Sequence, residues 1–185
     1  MRHENPPWDD LKSLPQAGGE GNLFAAATRL EMLEAAWARV RGNAGCAGSD
    51  GVTIERFAER SAQRLLGLMS RLRDGSYRPR PLRVFDIPKT DGDTRRLAVP
   101  TIVDRIAQTA VAMALMPIVE PELDDASFAY RPGRSVKQAV QAIDQHRKAG
   151  FSHVVEGDIE RYFDRVPHAP LLGKLESLLA GRPGA

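Results

Sequence analysis

The feature that most constrains the fold is a change in the spacing of apolar residues near residue 80. Up to Gly75, apolar residues recur at steps of three and four, which is typical of amphipathic helices. From Leu82 to Val99 they are interleaved with charged residues, and Asp91-Gly92 lies between the two runs as a hairpin turn signal. Prolines bracket this segment, and the helical spacing then returns. A β-hairpin set between helices predicts an α+β fold.

Five helices and one further strand are predicted around the hairpin, and residues 1–21 are predicted to be a flexible leader because they are rich in proline and glycine. The helices run from Asn22 to Arg41, from Ile54 to about Asp74, from Thr101 to Met116 with Pro117 as the stop, from Ser135 to Gly150, and from Pro167 to Ala180 with Gly181 as the stop; the strand runs from His153 to Ile159.

Composition excludes several classes of protein. The single cysteine, Cys46, excludes an internal disulfide, and four scattered histidines exclude a Cys/His zinc site. No window approaches the ~20 uninterrupted apolar residues of a membrane helix, and the start of the chain lacks the apolar core of a secretory signal. The length of 185 residues suits one folded domain. We therefore expect a cytoplasmic protein without a membrane partner.

A basic segment is hidden within a nearly neutral chain of net charge +2. Between Arg71 and Arg105 there are nine arginines and lysines against five aspartates. A short hairpin with Lys89 before its turn and Arg95 and Arg96 after it can present cations to phosphate groups. The alternative is a solvated hairpin whose charges protect its edges, and the segment alone favours this alternative.

The segment VVEGDIERYFDRVPH, residues 154–168, carries two carboxylates of catalytic interest. A valine-rich strand that ends at Asp158 would deliver a carboxylate to a sheet edge, where metal-dependent phosphoryl transfer commonly uses one. Six residues of extended chain span about 20 Å, whereas two catalytic metals lie only ~3.5 to 4 Å apart. In a helix, six steps of about 100° separate the two side chains. Asp158 and Asp164 therefore do not share one metal pair, and a further carboxylate must come from elsewhere.

Four ordered blocks of the sequence resemble the first half of a group II intron-type reverse transcriptase. The blocks are SDGVTIERF, then YRPRPLRVFDIPKTDGDTRRLAVPTIVDRIAQTAVAMALMPIVEPEL, then SFAYRPGRSVKQAV, and then VVEGDIERYFD, and they cover about residues 49 to 181. Within the family, LAVPTIVDRIAQTAV and SFAYRPGRS look most similar to the CRISPR-associated enzymes, which are often fused to the Cas1 integrase. The resemblance implies the fingers of a right-hand polymerase, residues 22–150 with the N-terminal helices, and the start of its palm, residues 151–185.

In the family, basic residues of the fingers hairpin hold the triphosphate of the incoming nucleotide. The matching positions here are Lys89, Arg95 and Arg96. The chain departs from the family at Arg96, because proline usually follows the first arginine. The resemblance therefore implies nucleotide binding by Lys89 and Arg95, with Arg96 as a further candidate.

The motif DIERYFD corresponds to the first catalytic block of the palm. This match implies that Asp158 is a catalytic metal ligand, that the backbone carbonyl of Ile159 is its companion, and that the cofactor is Mg²⁺, with two ions in a complete palm. Phe163 matches the position that selects deoxynucleotides, since a bulky ring there would clash with a 2′-OH. A core aromatic below the strand is the equal alternative for Phe163. Asp164 is expected to fix the turn rather than to bind metal.

Four further residues are candidates for contact with nucleic acid. Arg105 and Gln108 lie one helical turn apart and could meet a nucleic-acid backbone, with a buried Arg105 paired with Asp104 or Glu120 as the equal alternative. The basic loop supplies the other two, because Arg131 and Arg134 flank a rigid Pro-Gly turn that suits phosphate contact. Neighbouring Tyr130 could stack on a base, although packing is favoured.

The chain has neither the Tyr-x-Asp-Asp hairpin nor the thumb that follow in the family. We therefore expect a fragment of an RNA-directed DNA polymerase that is inactive alone and active when its palm is completed. The alternative is a non-catalytic RNA-binding remnant or subunit. The implied partners are an RNA template, a DNA primer and deoxynucleoside triphosphates, with Cas1 or an intron RNA as further candidates.

Overall fold

The computed structural model describes residues 22–88, 92 and 94–180, with only the backbone at Arg95. The predicted leader, Lys89, Asp91 and Gly181 lie outside these residues. Contacts divide the chain into an N-terminal unit, of which residues 22–116 are described, and a C-terminal unit, of which residues 117–180 are described. This division differs from the expected boundary after residue 150, which followed the family resemblance and not packing.

Helices and one two-stranded antiparallel sheet make up the regular structure of the described residues, so the α+β prediction is confirmed. In chain order the elements are α1 (Leu23–Ala27), α2 (Leu30–Gly42), α3 (Ile54–Ala58), α4 (Ser61–Arg73), β1 (Arg83–Pro88), β2 (Thr94–Val99), α5 (Ile102–Val119), a 3₁₀ turn (Glu120–Glu122), α6 (Val136–Lys148), a 3₁₀ turn (Tyr162–Asp164) and α7 (His168–Leu179).

The two predicted N-terminal helices are each broken once. The first is interrupted at Thr28, whose hydroxyl donates to the carbonyl of Phe24 at 2.8 Å, and the next residue, Arg29, is extended. The second is interrupted before Arg60, whose φ of −135° and ψ of 34° are not helical. Apolar spacing continues across both breaks, which is why the sequence pattern did not reveal them.

The hairpin forms as predicted, with Arg83 opposite Val99 and Pro88 opposite Thr94. Gly92 in the connection has a φ of +86°, a conformation that glycine adopts without strain. The loop before α3 is tied to the start of the hairpin, because the hydroxyl of Ser49 donates to the carbonyl of Pro81 at 2.5 Å. The basic hairpin is therefore anchored at its base.

The apolar core lies entirely in the N-terminal unit among the described residues. Trp37 of α2 packs on Phe57 of α3 with ring centroids 4.6 Å apart. Buried Gly48 fits tightly against the start of α5, since a Cβ at this position would lie 2.6 Å from Cα of Thr101. The core therefore fixes the loop before α3 relative to the first turn of α5.

The sequence predicts that helix α5 stops at Pro117, but the helix continues to Val119. A proline in the last turn removes a single intrahelical hydrogen bond, and the helix tolerates this loss. With the 3₁₀ turn that follows, Ile102–Glu122 is long and apolar enough to cross a membrane by length and composition alone. A membrane helix is not expected from the sequence because the longest uninterrupted apolar stretch, residues 110–116, ends at Pro117. Seven residues of α5 are buried in the structure, and the core helix of a globular protein meets the same criteria.

The C-terminal unit contains α6 and α7 close to their predicted positions. Ser135 caps α6 as predicted, with its hydroxyl accepting from the backbone N–H of Gln138 at 3.4 Å. The strand predicted at His153–Ile159 is wrong, because residues 151–159 form neither helix nor strand. Val155 in this segment is 96% exposed. A strand needs a neighbour for its backbone hydrogen bonds, and the described residues place none beside this segment.

Candidate nucleotide and nucleic-acid binding residues

The hairpin carries the residues predicted to hold a triphosphate. Arg96 lies opposite Asp86 in the ladder, and their side chains form an ion pair with 3.6 Å between Nε and Oδ1. Both side chains are exposed, so the pair contributes about 0–1 kcal/mol and leaves the guanidinium of Arg96 accessible. Lys89 and the side chain of Arg95 lie outside the described residues. Triphosphate binding by this hairpin stays a prediction.

Arg105 on α5 is half-buried and donates through Nη2 to the carbonyl of Cys46. A Cβ added at Gly45 would lie only 2.5 Å from Nη1 of Arg105, so the absence of a side chain at this glycine leaves room for the guanidinium. Neither partner considered from the sequence, Asp104 or Glu120, pairs with it. Gln108, one turn later, is exposed. Arg105 therefore ties α5 to the loop before α3, and Gln108 is the more accessible of the two for nucleic acid.

Asp104 forms a buried polar network that the sequence did not reveal. Its carboxylate is 3% exposed and accepts from the hydroxyl of Tyr77 at 2.5 Å, from the hydroxyl of Thr101 at 2.6 Å and from the backbone N–H of Arg80 at 3.2 Å. The Thr101-x-x-Asp104 spacing is typical of a helix start. The long-range partner Tyr77 has no local signal.

Two opposing pKa shifts follow from this network. Burial raises the pKa of Asp104, but the hydrogen bonds from Thr101, Tyr77 and Arg80 outweigh burial and hold it below its usual value. Burial, and then the hydrogen bond to the Asp104 carboxylate, raise the pKa of the Tyr77 hydroxyl. The pair is therefore a carboxylate and a neutral phenol across the neutral pH range.

Arg131 in the basic loop is 5% exposed. Its Nε and Nη2 donate to Oε1 of Glu120 at 3.1 and 2.8 Å, and its Nη1 donates to the carbonyls of Asp124 and Ser127 at 2.6 and 2.9 Å. The guanidinium thus closes the loop that follows α5. Arg131 is not presented to solvent, in contrast to the phosphate contact expected from the sequence.

Arg134 remains closer to its expected role. Its Nη2 pairs with the exposed Oδ1 of Asp125 at 2.7 Å, and its guanidinium carbon lies 5.7 Å from the ring centroid of Phe128. With its side chain 27% exposed and its partner at the surface, a phosphate could replace Asp125 as its acceptor. Of the two loop arginines, Arg134 is the candidate that the structure leaves accessible.

The candidate catalytic motif begins in the segment without regular structure and ends in the 3₁₀ turn Tyr162–Asp164. Asp158 is exposed, and Ile159 is 65% exposed. Phe163 is 73% exposed, so it is not a core aromatic among the described residues. Its ring makes edge contacts with Tyr130, with centroids 6.2 Å apart, and with Tyr162, with centroids 5.2 Å apart. Phe163 therefore contacts two further accessible rings, its neighbour Tyr162 and Tyr130 of the basic loop.

The described residues do not by themselves fit a pair of Mg²⁺ ions. They contain no group of three or more histidine, cysteine, aspartate or glutamate side chains that could hold a metal. Asp158 supplies one carboxylate, and a site for two metals needs further oxygen ligands around both ions. We therefore derive no catalytic step through a metal from these residues.

Comparison with known proteins gives a consistent result. A family model described as "Reverse transcriptase (RNA-dependent DNA polymerase)" matches residues 87–182. The chain is 39% identical over 129 residues to protein YkfC of Escherichia coli, which covers 68% of this chain and 34% of that protein. It is 32% identical over 152 residues to the group II intron-encoded protein LtrA of Lactococcus lactis subsp. cremoris, which covers 82% of this chain and 25% of that protein. The chain spans about a third or less of the length of these two relatives.

Proposed function

Because the chain belongs to the group II intron-type reverse transcriptases, we propose that it contributes the fingers and the first catalytic carboxylate of an RNA-directed DNA polymerase. The observation that carries the proposal is the family match over residues 87–182, which includes Asp158 and the basic hairpin positions Lys89, Arg95 and Arg96. The complete enzyme would extend a DNA primer on an RNA template.

Roles for individual residues follow from the motif and from accessibility. We assign Asp158, with the backbone carbonyl of Ile159, as one part of a magnesium site whose other ligands lie outside the described residues. Exposed Phe163 is assigned to the sugar of the incoming nucleotide, which agrees with its position five residues after Asp158. Bound Mg²⁺ would stabilise negative charge on the reacting phosphate.

For the template, we propose Gln108 and Arg134 as contacts, since both are more accessible than Arg105 and Arg131. For the triphosphate of the incoming nucleotide, we propose Lys89, Arg95 and Arg96 as the binding residues. An intron RNA is the further partner favoured by the relatives, because LtrA is named as an intron-encoded protein. The CRISPR-associated branch and Cas1 stay a prediction.

The function is tested by supplying the rest of a polymerase. Residues 87–182 replace the matching segment of a full-length group II intron-type enzyme that synthesises DNA on RNA, and primer extension is measured with Mg²⁺. We expect product, and we expect Asp158→Asn to reduce the rate by about 100-fold or more, since a catalytic metal lowers the activation barrier by several kcal/mol.

The matched control is Glu156→Gln, which removes one negative charge from an exposed side chain two residues earlier. It should leave extension unchanged, and both variants should bind an RNA–DNA hybrid as tightly as the parent protein. The proposal would be contradicted if the enzyme carrying residues 87–182 folded and bound the RNA–DNA hybrid but made no product. Full activity of Asp158→Asn would also contradict it. If the exchange protein does not fold, hybrid binding by the 185-residue chain and its loss in Arg134→Gln provide the second measurement.

A further inference from the structure

A second candidate binding site lies in the N-terminal unit. It is a cavity of about 570 Å³, formed by α4, by the segment 77–80 and by the start of α5. This volume is within the range of pockets that bind small molecules. Four positively charged side chains line the cavity: Arg64, Arg71, Arg78 and Arg80. We name this cavity the arginine pocket.

None of the four guanidinium groups forms an ion pair within the described part of the chain, although Arg71 is close enough to exposed Asp74 to contribute to the lowered pKa of that carboxyl. Their side-chain hydrogen bonds and ring contact are to neutral groups. Arg71 donates from Nε to the carbonyl of Gly67 at 3.2 Å, and Arg78 donates from Nη1 to the carbonyl of Gly75 at 2.7 Å. The guanidinium carbon of Arg64 lies 5.2 Å from the ring centroid of Phe57. Each guanidinium has five N–H groups, so donors remain on every one.

The acidic residues of the arginine pocket do not neutralise these charges. Asp104 is buried and accepts from Tyr77, Thr101 and the backbone N–H of Arg80. The other aspartate in the lining, Asp50, accepts from the backbone N–H of Val52 at 3.1 Å. Four arginines therefore face two aspartates, and the pocket carries an excess of positive charge.

An excess of unpaired guanidinium groups around a concave site is suited to a phosphate group. Guanidinium donates two parallel hydrogen bonds to phosphate oxygens, and these charge-assisted bonds are stronger than neutral ones. The half-buried ring of Tyr77 and the hydroxyl of Ser70 also line the pocket, so it offers apolar surface and a further polar group. Bare phosphate would leave most of this volume empty, whereas a nucleotide would occupy more of it.

We propose that the arginine pocket binds the phosphate of a nucleotide unit, either in an RNA strand or in a free nucleotide. All four arginines precede residue 87, so the pocket's charge comes from outside the residues matched to the family. The exchange experiment with residues 87–182 does not contain these arginines. Failure of the pocket proposal is therefore distinguishable from failure of the proposed polymerase function.

The test uses the whole 185-residue chain with three probes: a short single-stranded RNA, ATP and inorganic phosphate. Binding is measured by fluorescence anisotropy for RNA and by calorimetry for the others. Arg71→Gln and Arg80→Gln should each weaken binding about 10-fold, and each should reduce the salt slope for RNA by about one. Neither side chain holds the fold together, since Arg80 uses its backbone N–H for Asp104 and Arg71 is exposed.

Arg73→Gln is the matched control, because Arg73 is an exposed arginine in the same last turn of α4 but does not line the pocket. It should bind each probe within about twofold of the parent chain, a difference of only a few tenths of a kcal/mol. RNA binding that depends on Arg71 and Arg80 and is not competed by ATP assigns the phosphate to an RNA strand. Competition by ATP assigns it to a free nucleotide. Equal losses in all three variants, or no loss in Arg71→Gln and Arg80→Gln, would overturn the proposal.

Discussion

The two units of the chain are stabilised in different ways. The N-terminal unit buries sixteen apolar residues between Ala26 and Ala114, whereas the described part of the C-terminal unit buries none of its large apolar side chains. The apolar stripe of α6 is exposed, with Val136 81% and Ile143 61% accessible. The hydrogen bonds of buried Arg131 close the loop before this helix. Packing therefore positions the arginine pocket, while the described residues form no comparable core around Asp158.

The largest expected effect comes from truncating the same residue type in each unit. Ile106→Ala removes a fully buried side chain from α5 and should lower the free energy of unfolding by about 2–5 kcal/mol. Ile143→Ala removes an exposed one from α6 and should change it by less than about 0.5 kcal/mol. Urea unfolding followed by circular dichroism measures both. Equal losses would mean that the stripe of α6 is buried in solution.

The next largest change in the free energy of unfolding is expected from one of two aspartates. Asp104→Asn keeps the shape of the buried side chain but removes its charge, and the weakened hydrogen bonds should cost about 1.5–3 kcal/mol near pH 7. Asp158→Asn should leave the free energy of unfolding unchanged, because Asp158 is exposed and has no recorded partner.

The pH dependence of Asp104→Asn has a definite sign. The pKa of Asp104 is lower in the folded chain, so its contribution is fully present above the unfolded pKa of about 3.9 and is lost as pH falls through the folded pKa. The pKa of Tyr77 is raised, so its contribution is lost as pH rises above about 10. The gap between the parent chain and Asp104→Asn should close in acid. A gap that stays constant down to pH 2 would contradict this account.

Sequence patterns predicted the elements whose signals are local. The hairpin, the Ser135 cap and the positions of α6 and α7 required only spacing and turn chemistry. The His153–Ile159 strand failed because alternation describes one strand and says nothing about whether a neighbour is present to pair with it. The pattern also could not show that Pro117 would be tolerated in the last turn of α5.

The same distinction between local signals and long-range contacts applies to the candidate site. The motif located Asp158 and Phe163, and the basic segment indicated phosphate chemistry. Burial separated the two loop arginines, since Arg131 and Arg134 look equivalent in sequence but differ in their partners. The arginine pocket was not predicted, because Arg64 and Arg71 lie in α4 and meet Arg78 and Arg80 only after the chain has turned. Long-range contacts of this kind leave no local pattern.

The smallest expected effect comes from replacing one glycine in each unit by alanine. The change in the free energy of unfolding should have opposite signs in the two units. Gly48→Ala places a Cβ 2.6–2.8 Å from backbone atoms of Thr101 and Pro100, so the backbone must shift, at a cost of about 1–3 kcal/mol. Gly173→Ala places a Cβ in α7 with nothing within 4 Å, and it should stabilise the helix by about 0.5–1 kcal/mol through the lower conformational entropy of alanine when unfolded.

The measurement for the glycine pair is separate for each unit. Urea unfolding reports Gly48→Ala through loss of the N-terminal core, whereas helical circular dichroism and resistance of α7 to limited proteolysis report Gly173→Ala. Gly67→Ala is a matched control for Gly48→Ala, because a Cβ at this position in α4 meets nothing within 4 Å and should not destabilise the same unit. Destabilisation by Gly173→Ala would mean that α7 packs closely against another surface in solution. The contrast between a packed and an unpacked unit would then be wrong at that helix.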